Sequence, residues 1–354
     1  MLRVNMKILM ISLDKQIAQE GSRTALRMVL YGKKDELFIL IPDYQSKPQF
    51  LLGDEERVHA EKIGGSNKFL QFINIYRRGK ELIKKYGINF ITTQDSFFTG
   101  LIGVLLKYGV LGILFKRFFK KSNNNKIKLE IQLHGDLYGS DYYRENDFFK
   151  YCLSRFNIKF ADKIRVASHR NKETLIKKLK ISKSNVRIKP VLINYDRFEN
   201  YKLYKNIFRE RYPGVHSKVF LWLGRMEPVK NLDFLVDVFK SVVEEKPDWL
   251  LVLVGEGSKK QELIEKVNRL NLDKNIVFES WTQDPAPYYK SADYVILPSL
   301  SEGYSLVAME AAAAGTPIIM TDVGVANYEL KPGPKVKIVP VGDKKGFIKA
   351  ILEV

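Results

Sequence analysis

Short apolar runs separated by longer stretches of helical period organise this chain of 354 residues. In the first half the runs are Ile8-Leu9-Met10-Ile11, Leu37 to Ile41 stopped by Pro42, Ile88 to Ile91, Leu129 to Leu133, and Lys163 to Ala167. Continuous apolar runs of this length are what strands buried on both faces require. Helical patterns lie between them, such as the one through Leu26, Val29 and Leu30 that follows a polar loop ending in Gly21-Ser22. Repeated βα units predict a parallel sheet covered on both sides. Between Asn185 and Asn194 the pattern changes: Val186 to Ile193 reads as a strand interrupted by Pro190, and Tyr195 to Val215 is polar, aromatic and mixed. A second series starts at Val219 to Gly224 and continues through Trp249 to Val254, Asn275 to Phe278, Tyr294 to Leu297 and Pro317 to Met320. The expected architecture is α/β, with two tandem Rossmann-like, doubly wound domains at 1–194 and 216–354 and a linker at 195–215. Open sheets of this kind bind ligands beyond the carboxyl ends of their strands, so the two domains are expected to face an interdomain cleft.

The stretch Phe97 to Phe119 is strongly apolar, but Lys107 falls in its middle and Gly100, Gly103, Gly109 and Gly112 punctuate it. A membrane span needs roughly 20 mostly uncharged residues, so a buried helix is expected, followed by a basic-aromatic extension from Leu114 to Lys121. That extension has the residue types of an interfacial membrane contact, or of a helix end running into a solvated Ser122 to Asn125 turn. The N-terminus has too short an apolar run after Lys7 for a secretory signal, which points to a cytoplasmic protein. The single cysteine, Cys152, rules out an internal disulfide framework.

Charge is unevenly spread. Residues 1–200 hold 38 Lys and Arg against 20 Asp and Glu, whereas residues 201–354 hold 21 against 20. The first half is therefore suited to something anionic, such as nucleic acid, an acidic lipid surface or a phosphorylated substrate, unless its lysines simply solvate helices.

Candidate chemistry begins with exclusions. His59, His134, His169 and His216 are scattered, with no ligand spacing for a metal, and there is no Gly-x-Ser-x-Gly elbow, Walker loop or Asp-x-Asp pair. Gly255-Glu256-Gly257 is too short for a dinucleotide fingerprint. A phosphorylated ligand would have to be held by side-chain cations and helix termini. Such cations follow the first strand of the second domain, in Gly224-Arg225-Met226-Glu227-Pro228-Val229-Lys230-Asn231. Arginine can grip phosphate bidentately and lysine adds a compact charge. Farther on, Glu302-Gly303-Tyr304-Ser305-Leu306-Val307-Ala308-Met309-Glu310 links a strand to an alanine-rich helix stopped by Gly315. The N–H groups of that helix's first turn form an anion trap. Glu310, amid Ala308, Ala311, Ala312 and Ala313, needs a partner, since burying a lone carboxylate is costly.

The stretches Val219 to Asn231 and Asp293 to Pro317 resemble the donor-binding half of the group-1 (family 4) retaining glycosyltransferases, which carry a Glu-x7-Glu signature on the two-Rossmann GT-B fold. The resemblance implies that Arg225 and Lys230 hold the diphosphate of a nucleotide sugar and stabilise charge on the leaving group. It implies that Glu302 faces the transferred sugar, that Gly303, Tyr304, Ser305 and Leu306 line the distal-phosphate site, and that Glu310 binds ribose hydroxyls. Thr282, in the loop Trp281 to Asp284, would frame the base. From the first domain, Gly21 matches a glycine loop near the diphosphate and His134 a histidine reaching the sugar from the acceptor side. The implied reaction is sugar transfer from a nucleoside diphosphate to a hydroxyl of a glycan or lipid-linked acceptor, with retention and with no metal or other cofactor. Glu302 is a weak candidate nucleophile, and front-face attack is the favoured route.

Two departures stand out. Relatives often have Pro-Asn-Gly at the end of the first domain, where this chain has Lys189 to Asp196, and they add terminal helices beyond the position of Val354. The expected setting is surface polysaccharide synthesis in the cytoplasm, with the basic first domain in peripheral contact with the anionic inner face of the membrane. A non-catalytic nucleotide-sugar or partner binder and a sugar-nucleotide epimerase on the same fold are the alternatives. A nucleic-acid partner is not expected, because the basic residues form no reading motif.

Overall fold

The computed structural model describes residues 6–19, 21–43, 50–51, 57–114, 127–139, 142–191, 193–202, 205–214 and 217–354. The basic-aromatic extension beyond Leu114, the Ser122 to Asn125 turn, residues 1–5 and His216 lie outside them. Two compact units emerge. One comprises residues 1–134, 143–166 and 179–188; the other comprises 135–142, 167–178 and 189–354.

The first unit is built on β1 (Lys7–Ile11), β2 (Glu36–Pro42), β3 (Phe50–Leu51), β4 (Val58–Ile63), β5 (Phe90–Thr93), β6 (Lys128–Leu133), β7 (Lys163–Val166) and β8 (Val186–Ile188). Their order is β3-β4-β2-β1-β5-β6-β7-β8, with every pairing parallel except β3 on β4. The central strands are fully buried, as continuous apolar runs demand: Leu9, Ile11, Ile39, Leu40, Ile91, Leu129 and Ile131 have no exposed surface. β4 was not evident as an apolar run because its sequence alternates. Its buried Val58 and Ala60 point inward, while Glu61 pairs with Arg78 at 2.9 Å and Lys62 with Asp43 at 3.4 Å. Chain order reverses across the β1/β5 boundary, the switch point of a doubly wound sheet.

The apolar stretch near residue 100 forms the helix Phe98–Leu114, broken at Gly109, whose φ of 68° lies in the left-handed region. Lys107 is buried inside it and makes an ion pair with Asp162, whose carboxylate also accepts the Leu129 N–H at 2.7 Å. No helix among the described residues is long and apolar enough to cross a membrane.

The second unit has β9 (Val219–Leu223), β10 (Leu250–Val254), β11 (Ile276–Glu279), β12 (Tyr294–Leu297), β13 (Ile318–Thr321) and β14 (Val336–Val339) in the order β11-β10-β9-β12-β13-β14, all parallel. Its switch point lies between β9 and β12, which pair through Tyr294 with Phe220 and Val295 with Leu221. The stretch read as a linker is structured. It contains the short helices Tyr195–Glu199 and Ile207–Arg211, whose Phe198 and Phe208 are buried in the second unit's core. β8 ends at Ile188, ahead of Pro190, which cannot donate to a ladder.

Candidate active site

Because β9 and β12 flank the switch point, the loops leaving their carboxyl ends must meet. They are joined by the Leu300 N–H donating to the Val229 carbonyl at 2.9 Å and the Asn231 amide donating to the Pro298 carbonyl at 3.3 Å. The β9 loop carries Arg225 and Lys230, and the β12 loop carries Glu302 to Ser305. Lys230 Nζ donates to Glu302 Oε1 at 2.6 Å, and Ser299 Oγ donates to the same oxygen at 2.8 Å. Both side chains of the pair are mostly buried, 23% and 13% exposed. Arg225 is exposed, and its charge helps hold the Glu227 carboxyl below its usual range, after the larger effect of hydrogen bonds from Ser258.

The alanine-rich helix runs from Leu306 to Ala314 and is closed by Gly315, whose left-handed backbone lets its N–H reach the Ala311 and Ala312 carbonyls. Ala308, Ala311 and Ala314 are buried, and these small side chains allow close approach of the helices Tyr195–Glu199 and Ala286–Ser291. Ser305 precedes the helix in a left-handed conformation, φ 65°, and its side chain makes no capping bond. A non-glycine residue held there costs about 1–2 kcal/mol, and such strain is concentrated at ligand sites. The first N–H groups of the helix are thus left for an anion. Glu310 lies farther along, and Tyr289 Oη donates to its Oε2 at 2.9 Å. Tyr289 is fully buried, and burial together with Glu310 raises its pKa well above the usual tyrosine range. Tyr304 is also buried, which pushes its pKa up to about 12, with Tyr195 contributing.

Gly255-Glu256-Gly257 has a structural role. A Cβ on Gly255 would land on the Gly224 carbonyl oxygen, and one on Gly257 would stand 2.5 Å from the Met226 carbonyl oxygen. The missing side chains let the β10 loop lie against the Arg225 loop. There the Met226 N–H donates to the Glu256 carbonyl at 2.8 Å and the Lys259 N–H to the Met226 carbonyl at 2.9 Å.

Two further groups brace the Glu302 loop, and neither stood out in the sequence. Arg170 donates to the Gly324 carbonyl at 3.1 Å, to the Ala326 carbonyl at 2.8 Å and to the Asp322 carboxylate. Its guanidinium also lies 5.1 Å from the centre of the Tyr328 ring. Gly324, φ 58°, backs directly onto Glu302, since a Cβ there would stand 2.8 Å from the Glu302 Cβ. The buried Asn171 amide donates to the Gly303 carbonyl at 3.3 Å and the Gly135 carbonyl at 3.4 Å, and Ser301 Oγ donates to the Asp136 carbonyl at 3.1 Å. The one available signal was position, since Arg170 and Asn171 start the helix that follows β7. The partners of Arg170, and Gly303 opposite Asn171, lie more than 130 residues away.

The structure thus brings Lys230, Glu302 and the Gly303 to Leu306 turn together, with Arg225 on the same loop as Lys230. Thr282 belongs to a separate turn. Its hydroxyl bonds the Asp284 N–H and carbonyl, each at 3.1 Å, and that turn is held by Arg197 through Asp284 at 2.7 Å. Gly21 and His134 belong to the first unit. Gly21 has φ 76° in the loop after β1, just ahead of Ser22, whose Oγ caps the helix Arg23–Gly32 through the Ala25 N–H. His134 ends β6. Desolvation lowers its pKa, and Arg165 and Arg27 lower it further; although the ring is also solvent-exposed, every cause favours the neutral imidazole at pH 7. Among the described residues no group of three or more His, Cys, Asp or Glu could hold a metal ion.

Residues 217–354 match the family model described as glycosyl transferases group 1. An uncharacterised glycosyltransferase of Methanocaldococcus jannaschii is 29% identical over 226 residues, covering 62% of this chain and 53% of that protein. The UDP-Gal:α-D-GlcNAc-diphosphoundecaprenol α-1,3-galactosyltransferase of Escherichia coli is 28% identical over 209 residues, 57% of this chain and 53% of the relative. The chain's matches thus span about half the length of these curated relatives. Among solved structures, sucrose-phosphate synthase from Thermosynechococcus elongatus superposes with a TM-score of 0.74 at 20% identity, over 99% of this chain and 89% of that one. Anabaena HepE in complex with UDP superposes with a TM-score of 0.70 at 15% identity, over 98% and 89%. Fold, loop chemistry and sequence agree: residues 217–354 are similar to the group-1 glycosyl transferases, and the two Rossmann-like units are those of the GT-B fold.

Proposed function

We propose that the protein is a retaining glycosyltransferase that moves a sugar from a nucleoside diphosphate to a hydroxyl of a glycan or glycolipid acceptor, in the cytoplasmic synthesis of a surface polysaccharide. The observation that carries this reading is the Lys230–Glu302 pair beside a helix whose first N–H groups lack a side-chain cap. In this reading the distal phosphate of the donor settles on the N–H groups at Ser305 and Leu306 and takes Lys230 as its counter-ion. Glu302 loses its cation and turns its carboxylate to the sugar hydroxyls. Arg225, exposed on the same loop, closes on the diphosphate, and Glu310 offers ribose an acceptor already oriented by Tyr289.

The bond from the anomeric carbon to the phosphate oxygen breaks as the acceptor oxygen approaches from the same face. The leaving oxygen takes the acceptor's proton, and Arg225 and Lys230 stabilise the charge that develops there, with no bound metal invoked. Gly21 and His134 enter this reading through the family resemblance alone. The E. coli relative is named for UDP-Gal and a diphosphoundecaprenol acceptor, and HepE was solved with UDP, which favours UDP-sugars as the first donors to try.

The test is incubation with UDP-, GDP- and ADP-sugars and candidate acceptors, following nucleotide release and the anomeric configuration of the product. Turnover with retention is expected. Absence of both turnover and nucleotide binding across the panel would overturn the reading, and an inverted product would overturn its stereochemistry.

A further inference from the structure

The helix Phe148–Ile158 of the first unit buries two polar side chains beside Ile158 while leaving phenylalanines outside. Ser154 and Asn157 have no exposed surface, Ser154 Oγ donates to Ser96 Oγ at 2.7 Å, and the Asn157 amide donates to the Ser96 and Phe97 carbonyls at 2.9 and 2.8 Å. Its outward side, at helical spacing, carries Phe148, Phe149, Cys152, Arg155 and Phe156, and exposed Lys159 follows the helix end. The three phenylalanines are 63%, 65% and 39% exposed. Phe98, at the start of the neighbouring helix, is 50% exposed, and its ring centre lies 6.5 Å from that of Phe149. Helices of soluble proteins turn their apolar side to the core, and contiguous exposed aromatic surface marks an interaction site.

The charge on this face identifies its occupant. No acidic residue stands among the outward positions, Arg155 and Lys159 stand at its end, and the first 200 residues carry nearly the whole positive excess of the chain. Phenylalanine has no polar tip to satisfy, so it can enter the boundary between headgroups and acyl chains, while flanking cations meet anionic headgroups. We propose that the Phe98, Phe148, Phe149 and Phe156 face docks the protein on an anionic lipid surface. Nothing in this inference depends on sugar transfer.

The test uses the full chain in co-sedimentation with vesicles of phosphatidylcholine alone or mixed with phosphatidylglycerol. Binding is expected to the mixed vesicles and to weaken with added salt. The double variant Phe148→Ser/Phe149→Ser should lower the partition coefficient by roughly tenfold or more, and Arg155→Glu/Lys159→Glu should lower it by a similar factor on anionic vesicles only. All the substituted side chains are solvent-exposed, so an unchanged thermal midpoint, which needs no ligand, verifies that each variant is folded. Wild-type protein that stays in the supernatant, or variants that sediment like wild type, would overturn the proposal. A concentration-dependent dimer abolished by Phe148→Ser/Phe149→Ser, without vesicle binding, would assign the face to a second copy instead.

Discussion

Replacing Lys230 by alanine separates what the central ion pair does for the fold from what it does for a ligand. In the wild type Glu302 Oε1 accepts from Lys230 at 2.6 Å and from Ser299 at 2.8 Å, and the pair is mostly but not wholly buried. Fully exposed pairs contribute about 0–1 kcal/mol, and removing one partner of a fully buried pair costs about 3–5 kcal/mol. Glu302 keeps Ser299 and some solvent, so Lys230→Ala should destabilise the second unit by about 1–3 kcal/mol. Most of that loss is an orphaned charge, so adding Glu302→Gln should restore roughly half of it.

All three tryptophans, Trp222, Trp249 and Trp281, lie in the second unit, so denaturant unfolding followed by tryptophan fluorescence reports on it selectively. Ligand affinity should behave differently. Losing a charge-assisted contact to phosphate should weaken UDP binding by about tenfold to a hundredfold in calorimetry, and the second substitution should not rescue it. A double variant that binds UDP like wild type would refute the assignment of Lys230 to the diphosphate. A single variant with wild-type stability would refute the energetic account of the pair.

Gly255→Ala should cost more than about 3 kcal/mol in the same unfolding assay, since its Cβ would meet the Gly224 carbonyl in a left-handed backbone with only main chain to move; stability within experimental error of wild type would contradict this. Arg170→Met, which keeps the stem and removes the donors, should speed hydrogen exchange at Gly324 to Ala326 and weaken UDP binding, whereas unchanged exchange there would show that the loop holds itself. Burial raises the Asp136 pKa despite the hydrogen bond from the Gly139 N–H, so its folded form favours the proton. Wild type should therefore lose stability relative to Asp136→Asn as pH rises from the ordinary aspartate range through the raised value, and the gap should then level off. Urea titrations at stepped pH would check this, and wild type gaining stability relative to Asp136→Asn as pH rises would contradict it.

The parallel α/β class is legible in the residues alone, because strands buried on both faces leave uninterrupted apolar runs. β1, β2, β6, β9 and β12 lie where Ile8 to Ile11, Leu37 to Ile41, Leu129 to Leu133, Val219 to Leu223 and Tyr294 to Leu297 indicate. The sequence also indicated the glycine stop at Gly315 and the identities of Lys230 and Glu302, since a strand's end followed by charge or by a helix start is a local pattern. Two strands were not legible: β4, beside the edge strand of the first sheet, and β14, at an edge of the second, are partly solvated, so their apolar signal is diluted by Glu61, Lys62 and Lys337. The helices at Tyr195–Glu199 and Ile207–Arg211 were missed for a related reason, because one buried phenylalanine apiece sets no period.

The long-range contacts are set by the fold. Strand order brings the β9 and β12 loops together so that Lys230 meets Glu302. Arg170 and Asn171 reach carbonyls that no sequence spacing encodes, and Gly255, Gly257 and Gly324 matter for backbones that pass against them from elsewhere in the chain. Hydrophobic period is written locally because each element must bury its own face; the partners of a polar side chain are chosen by the fold, after the chain has closed.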